Sequence, residues 1–159
     1  MTETATLAGG CFWGVEELVR KLPGVIDTTV GYAGGTLDNP RYENVKKGKT
    51  GHAESLQIVF DPSKITFGEI LDFFFRLHDP TTANRQGNDL GTQYRSAIFY
   101  HDEAQRTAAE SAKQRAQPKW PRPIVTEIVP FTNFYEAEDF HQDYLQRHPH
   151  GYTCHYVRA

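Results

Sequence analysis

The sequence predicts an α/β (α+β) fold in which helices pack on one mixed sheet as a two-layer sandwich. Segments with strand alternation are interleaved with segments of helical spacing, which favours alternating strands and helices. The 159 residues suffice for one hydrophobic core and are few for two domains. Neither a repeat nor a Gly/Ser linker divides the sequence. We therefore expect residues 1–159 to form a single domain.

The N-terminal part of the chain predicts a strand, a helix and a second strand. Residues 4–8 are a short strand candidate, and residues 25–32 alternate as the second strand. Between them, apolar residues recur with helical spacing over residues 15–22, two glutamates fall in the first turn, and a Pro-Gly pair ends the helix. Cys11 therefore lies at, or just before, the N-terminus of this helix.

The next predicted strand, residues 52–60, carries an acid among apolar side chains. Glu54 shares a strand face with Leu56 and Ile58, and an Asp-Pro pair closes the strand. An unpaired carboxyl that faces a core costs several kcal/mol unless it is neutral or hydrogen-bonded. The position of Glu54 therefore needs a functional or structural reason.

The rest of the sequence continues to alternate between predicted helices and predicted strands. A helix is predicted at 66–77 with Thr66 as its cap. A strand at residues 97–100 and a polar-faced helix at residues 102–117 follow. The last predicted elements are a strand at residues 124–129 and a helix at residues 136–147. Residues 34–51 and 78–92 are long polar loops, and loops of this length are usually functional or disordered. The whole pattern predicts a ferredoxin-like sandwich with long irregular loops and a C-terminal coil.

Charge and hydropathy exclude several classes of partner. The 17 Lys and Arg residues against 20 Asp and Glu residues leave a net charge of -3, without a basic stripe to follow a phosphate backbone. No apolar run approaches the ~20 residues of a membrane span, and the N-terminus lacks the basic and apolar segments of a secretory signal. We therefore expect a cytoplasmic protein without a nucleic-acid or membrane partner.

The sequence contains two cysteines, Cys11 and Cys154. In a reducing compartment, a pair separated by almost the whole chain is more typical of a catalytic or redox couple than of a structural disulfide. Two unrelated buried thiols remain the alternative.

Cys11 stands in the segment GGCFWG, between glycines and two aromatic residues. At a helix N-terminus, free N–H groups and the helix dipole favour a thiolate and lower the pKa of a cysteine below its usual ~8.5. The two preceding glycines allow a ligand to approach closely, and Gly14 leaves space beside the sulfur. Phe12 and Trp13 are expected to line a small apolar pocket for a methyl or thioether group, with ordinary core packing as the alternative.

Five segments together resemble the peptide methionine sulfoxide reductases of the A type. They occur in the order that this family shows: GGCFWG, GYAGG at 31–35, TGHAE at 50–54, GNDLGTQYRS at 87–96 and AEDFHQ at 137–142. The resemblance implies a single catalytic domain, a peptide-methionine (S)-S-oxide reductase that repairs oxidised proteins and peptides. It also implies an external dithiol reductant, thioredoxin or a similar protein, in place of a bound cofactor. We expect a monomer without a metal.

The chemistry of sulfoxide reduction accounts for further residues in these segments. A sulfoxide sulfur is a poor electrophile unless its oxygen is hydrogen-bonded or protonated. Glu54 is the candidate acid, because burial raises the pKa of a carboxyl and keeps its proton near neutral pH. Tyr32 and Tyr94 are the candidate donors to the oxygen, and by resemblance Asp89 helps to order the site. Core-boundary roles for the tyrosines and a turn role for Asp89 are the alternatives.

Attack by Cys11 would leave a sulfenic acid, which a second thiol condenses to a disulfide. Cys154 is the candidate second thiol, and the resemblance implies that thioredoxin or a similar protein reduces the Cys11–Cys154 disulfide. Family members often carry a cysteine where this chain has Lys46. We therefore expect Cys154 both to resolve the sulfenic acid and to present the disulfide to the reductant.

Two other functions stay open at the level of sequence. A metal-binding module is suggested by four residues that cluster in the tail: His148, His150, Cys154 and His155. Their spacing matches no common zinc pattern, which favours a solvated loop. A thiol peroxidase would use the same cysteine on peroxide instead of a sulfoxide.

Overall fold

The chain alternates strands and helices, and the computed structural model describes residues 1–158. The strands are β1 (Glu3–Gly9), β2 (Val25–Ala33), β3 (Ala53–Phe60), β4 (Arg85–Gln86), β5 (Asp89–Leu90), β6 (Ser96–Tyr100), β7 (Glu127–Pro130) and β8 (Phe134–Glu136). The α-helices are α1 (Phe12–Val19), α2 (Tyr42–Val45), α3 (Phe67–Leu77), α4 (Glu103–Ala116) and α5 (Tyr144–Arg147).

Six strands form one mixed sheet in the order β7-β6-β1-β3-β2-β8. Strands β6 and β7 run parallel, and the other neighbouring pairs are antiparallel. Within this sheet, the unit β1-α1-β2-β3-α3-β6 places its strands in the order β6-β1-β3-β2, the split βαβ arrangement of ferredoxin-like folds. The predicted ferredoxin-like sandwich with a mixed sheet is therefore confirmed.

The main core lies between the sheet and the helices. Side chains that alternate along β1 and β3, such as Leu7, Leu56 and Ile58, pack with apolar residues of α1 and α3. Part of the opposite face is covered by a smaller cluster formed by Ala8, Ala33, Ala53, Ala97 and Phe99. Glu54 shares the strand face of Leu56 and Ile58 and is 2% exposed. The predicted position of Glu54 on an apolar strand face is therefore confirmed.

Two helix starts agree with the sequence pattern. Helix α1 begins at Phe12, so Cys11 is its N-cap residue, and the N–H of Val15 donates to the Cys11 carbonyl at 3.5 Å. Helix α3 has the predicted Thr66 cap. The Thr66 hydroxyl accepts from the N–H of Glu69 at 3.1 Å, and the Glu69 carboxylate accepts from the N–H of Thr66 at 3.0 Å. This reciprocal pair is a capping box, which satisfies two otherwise free N–H groups.

The prediction of one continuous helix over residues 136–147 is wrong. Its first residue belongs to β8, a 3₁₀ turn follows, and only α5 is α-helical. The side chain of Gln142 pairs with both backbone groups of Val30 at 2.9 Å. Asp143 adopts a φ of 53°, and its N–H donates to Glu16 at 2.8 Å. These hydrogen bonds to other elements replace the helical ones and break the predicted helix.

The long loops contain short elements of their own. Helix α2 lies within residues 34–51, and the β4–β5 hairpin lies within residues 78–92. The strand predicted at residues 124–129 is β7, which starts three residues later. Within residues 1–158, none of the helices has the length and apolar character needed to cross a membrane.

Candidate functional site

A cavity of about 90 Å³ lies beside Cys11, where β1 leads into α1. Its lining consists of Cys11, Phe12, Trp13, Tyr42, Glu54, Asp89, Tyr94 and Tyr152. These side chains come from both long loops, the sheet, the first helix and the C-terminal coil. Six of the residues that the sequence singles out therefore meet here, whereas Tyr32 and Cys154 are not in the lining.

The glycines of GGCFWG make room for the C-terminal coil. Gly10 has a φ of 97°, in the region that favours glycine. A Cβ at Gly10 would lie 2.7 Å from the Gln86 side chain, and a Cβ at Gly14 would overlap the ring of His155. The expectation that Gly14 leaves open space beside the sulfur is wrong, because His155 fills that space.

Cys11 is a free cysteine that is 8% exposed. Burial raises the pKa of its thiol well above the usual value, the Glu54 carboxylate raises it further, and the backbone N–H of Trp13 lowers it. The expectation of a lowered pKa is therefore wrong for the free protein, since desolvation outweighs the stabilisation at the start of α1. The thiol holds its proton at neutral pH.

Glu54 reaches the cavity from β3. Its Oε1 accepts the N–H of Phe12 at 3.2 Å, which ties the carboxyl to the residue after Cys11. Burial raises the pKa of Glu54 to about 8, the hydrogen bond from Phe12 opposes this rise, and the charge of Asp89 adds to it. The carboxyl therefore remains a proton donor at neutral pH, as its position on an apolar strand face suggests.

The two tyrosines that the sequence singles out have different positions. Tyr94 lines the cavity, and burial raises its pKa, so its hydroxyl stays a neutral donor. Tyr32 is fully buried against Phe12, with ring centroids 5.8 Å apart, and its hydroxyl donates to Oε1 of Glu138 at 3.0 Å. Tyr42 and Tyr152 are the other two tyrosines of the lining, and burial raises the pKa of both.

Tyr32 is connected to the cavity through Glu138. One oxygen of this carboxylate accepts the Tyr32 hydroxyl, and the other accepts the backbone N–H of Tyr42 at 3.1 Å. Tyr32 therefore helps to hold the start of α2, which carries Tyr42. Tyr42 and Tyr152 were not among the predicted site residues, because neither lies in a segment with a periodic pattern. The available signal was a tyrosine within a long polar loop or coil.

Asp89 links the cavity to the C-terminal coil. The hydroxyl of Tyr152 donates to Oδ1 of Asp89 at 3.2 Å, and Sγ of Cys154 lies 3.9 Å from Oδ2. Burial raises the pKa of both Asp89 and Cys154. Cys154 is a free, half-buried cysteine, so the coil holds a second thiol against a residue of the cavity wall.

Phe12 and Trp13 form an aromatic wall of the cavity. Phe12 is 1% exposed and belongs to the main core, whereas Trp13 is half-buried at its edge. The Trp13 indole stacks on Tyr144 at 3.8 Å between centroids, and its Nε1 donates to Nδ1 of His141 at 3.0 Å. His141 and Tyr144, which sequence analysis did not assign to the site, thus fix the orientation of the indole.

The histidines of the tail are not gathered around a common point. His155 is turned inward, where its Nε2 lies 2.7 Å from the carbonyl oxygen of Gly9, whereas His148 and His150 are exposed. Within the part of the chain that the structure describes, no group of three or more His, Cys, Asp or Glu side chains could hold a metal ion.

A protonated thiol, a protonated carboxyl and three tyrosine side chains line one small cavity, with a second thiol against its wall. These groups supply a sulfur nucleophile, proton donors and a second thiol that can form a disulfide. Such a combination is typical of a thiol-dependent oxidoreductase. The chain belongs to the peptide methionine sulfoxide reductase family, whose model matches residues 3–159. Enzymes of this family reduce methionine sulfoxide.

Relatives and solved structures agree with this membership. A peptide methionine sulfoxide reductase MsrA of Nocardia farcinica is 56% identical over 162 residues, covering 99% of this chain and 93% of the relative. The reduced form of Mxr1 from Saccharomyces cerevisiae has a TM-score of 0.95 at 47% identity and covers 99% of this chain and 93% of its own. Mxr1 in complex with Trx2 has a TM-score of 0.70 at 36% identity, with coverages of 99% and 91%.

Proposed function

We propose that the chain reduces the S epimer of methionine sulfoxide, free or within proteins and peptides, with Cys11 as the nucleophile and Glu54 as the acid. The observation that carries this proposal is that both side chains line one small cavity, with the N–H of Phe12 bonded to the Glu54 carboxyl. A sulfoxide oxygen needs a proton donor opposite the attacking sulfur, and a buried carboxyl that keeps its proton meets this need.

In the first step, the Cys11 sulfur attacks the sulfoxide sulfur while Glu54 protonates the oxygen. The hydroxyls of Tyr42 and Tyr94 donate to that oxygen and stabilise the charge that develops on it. The proton of the thiol passes to Glu54, which ends the step protonated. The attack joins the Cys11 sulfur to the methionine sulfur. The hydroxyl then passes from the methionine sulfur to the Cys11 sulfur, so that the bond between the oxygen and the methionine sulfur and the bond between the two sulfurs both break. A thiol and a sulfoxide thus become a sulfenic acid and methionine.

Phe12 and Trp13 hold the methyl group of the substrate in this proposal. The wall is rigid because His141 and Tyr144 fix the Trp13 indole. A sulfoxide sulfur is chiral. When its oxygen faces the acid and its methyl group faces the aromatic wall, only one epimer can present the sulfur to Cys11 and extend the rest of the chain outward.

Regeneration proceeds through Cys154 and an external dithiol. Cys154 attacks the sulfenic acid, water leaves, and a Cys11–Cys154 disulfide forms. Thioredoxin or a similar protein then reduces this disulfide, so the cycle uses no bound cofactor. Two observations support this course: Cys154 is held against Asp89 of the cavity wall, and a yeast relative forms a complex with Trx2.

Separated sulfoxide epimers test the proposed function directly. With dithiothreitol as the reductant, we expect the S epimer of a methionine sulfoxide peptide to be reduced at least ~10²-fold faster than the R epimer. Only one epimer can place its oxygen against the acid and its methyl group against the aromatic wall at the same time. Methionine release by each epimer is the measurement. Equal rates for both epimers, or faster consumption of hydrogen peroxide than of the S epimer, would contradict the proposal and favour a thiol peroxidase.

Replacing Cys154 separates the two halves of the cycle. Cys154→Ser should release one methionine per enzyme and then stall with thioredoxin, because a dithiol protein needs a disulfide to attack. Dithiothreitol should partly restore turnover by reducing the sulfenic acid itself. The measurement is a burst assay with a probe for sulfenic acids. Normal steady-state turnover with thioredoxin, or no labelling after the burst, would remove Cys154 from the mechanism.

We also propose that the chain acts as one catalytic domain of residues 1–159, as a monomer and in the cytoplasm. The six-stranded sheet, whose strands come from residues 3 to 136, and the family match over residues 3–159 support one domain. A cycle that depends on free thiols and on a thioredoxin-like reductant suits a reducing compartment. Oxidised proteins and peptides are the proposed substrates, and neither nucleic acid nor a membrane is a proposed partner.

A further inference from the structure

His155 follows Cys154 and is buried against the segment that carries Cys11. The side chain is 7% exposed, and its Nε2 lies 2.7 Å from the carbonyl oxygen of Gly9. A carbonyl only accepts hydrogen bonds, so Nε2 carries the ring hydrogen and donates it. The hydrogen bond from Nε2 to Gly9 thus assigns the tautomer of the neutral ring, in which Nδ1 has a free electron pair.

The free electron pair of His155 lies beside the Cys154 thiol. Nδ1 and Sγ are 4.0 Å apart, and the Gln86 carbonyl and Oδ2 of Asp89 lie 4.0 and 3.9 Å from the same sulfur. A backbone carbonyl does not take up a proton at neutral pH. Oδ1 of Asp89 accepts the Tyr152 hydroxyl, and Oδ2 remains beside the sulfur. A carboxylate is intrinsically far less basic than an imidazole, although burial narrows the difference by raising the pKa of Asp89 and lowering that of His155. His155 is therefore the favoured acceptor for the Cys154 proton.

The glycines of GGCFWG leave the space that the His155 ring occupies. A Cβ at Gly10 would lie 3.2 Å from Nε2 of His155, and a Cβ at Gly14 would overlap the ring itself. Gly9, which accepts the hydrogen bond from Nε2, lies two residues before Cys11. The His155 ring therefore connects the tail that carries Cys154 to the turn that carries Cys11.

We propose that His155 is the proton acceptor for Cys154 when this thiol attacks the sulfenic acid on Cys11. This inference rests on the resolving role proposed for Cys154. The Cys154 proton moves to Nδ1 of His155, and the Cys154 sulfur forms a bond to the Cys11 sulfur. The S–O bond of the sulfenic acid breaks, and the leaving hydroxide takes the proton back as water. Cys154 is oxidised and the sulfenic sulfur is reduced, so no other oxidant is needed.

The protonation states of both groups support this role. Burial lowers the pKa of His155, and Arg158 lowers it further against the opposing effect of the Gly9 carbonyl, so the ring is neutral at neutral pH. Burial and the charge of Asp89 raise the pKa of Cys154, so its thiol keeps its proton until a base removes it. A neutral imidazole beside a protonated thiol is the state that the step requires.

His155→Gln tests the proposal, because an amide can donate to Gly9 but offers no basic nitrogen. After mixing with the S epimer without a reductant, methionine release and disulfide formation are measured separately by rapid quench. We expect a burst of one methionine per enzyme, disulfide formation slowed by ~10², and a sulfenic acid that reacts with dimedone. His150→Gln replaces an exposed histidine of the same coil and serves as the matched control. Disulfide formation by His155→Gln at the parent rate would overturn the proposal.

A second variant separates basicity from packing. His155→Ala leaves a space of the size of the ring, to which imidazole or its nearly non-basic isostere pyrazole is added. We expect imidazole, but not pyrazole, to restore fast disulfide formation. Equal rescue by pyrazole would indicate a packing role and overturn the proposal. If the parent enzyme itself forms no disulfide after the burst, the resolving role of Cys154 fails, and this inference fails with it.

Discussion

Replacing Cys11 with serine is expected to abolish reduction of methionine sulfoxide, including a single turnover. Serine keeps the size of the side chain, but its hydroxyl is a far weaker nucleophile than a thiol and cannot form a sulfenic acid. We expect the rate of the first step to fall by ~10⁴ or more. The measurement is the methionine released per enzyme after rapid mixing with the S epimer.

Cys154→Ser is the matched control for this substitution, since it also removes a sulfur but should keep the first turnover. No capping hydrogen bond from the N–H groups at the start of α1 depends on the Cys11 side chain, so serine should leave the fold intact, and circular dichroism checks this. A Cys11→Ser protein that releases one methionine per enzyme would show that another group is the nucleophile.

Replacing Glu54 with glutamine is expected to slow the first step by ~10² or more. The amide can still donate a hydrogen bond to the sulfoxide oxygen, but it cannot transfer a proton. Glutamine is uncharged, like the protonated acid, so substrate binding should be largely retained. The loss corresponds to ~2.7 kcal/mol in the barrier. Pre-steady-state rates measured over a range of substrate concentrations separate the barrier from binding.

The pH dependence of the first step provides a second measurement on Glu54. Its pKa in the folded protein is raised from 4.5 to about 8, so the carboxyl holds its proton below this pH and loses it above. We therefore expect the first step to slow as the pH rises through about 8. This decline should be absent from Glu54→Gln, and a decline of equal size in the variant would argue against Glu54 as the acid.

Glu16 offers a matched control for Glu54. It is a buried carboxyl of α1 whose pKa is raised to about 7, but it lies outside the cavity lining. It accepts from the Thr28 hydroxyl and the Asp143 N–H, both at 2.8 Å. Glu16→Gln should reduce thermal stability without a comparable loss in the first step. Equal losses in both variants would assign the effect at Glu54 to packing.

Much of the fold could be predicted because its signals are local. Side-chain alternation predicts β3 and places Glu54 on an apolar face, and the Thr66 cap marks the start of α3. Alternation of strands and helices predicts a two-layer sandwich with a mixed sheet, and the order of the strands in that sheet shows that it is ferredoxin-like. The predicted helix at residues 136–147 failed because Gln142 and Asp143 bond to distant elements, and helical spacing contains no information about such bonds.

The sequence by itself determined that Cys11 caps a helix, that Glu54 faces the core and that the motifs belong to one family, since each depends on neighbouring residues. The roles of the site residues stay predictions. Only the tertiary structure decided that Tyr42 lines the cavity while Tyr32 bonds to Glu138. It also decided that the pKa of Cys11 is raised, because desolvation depends on what the folded chain packs around the sulfur and not on its place in a helix.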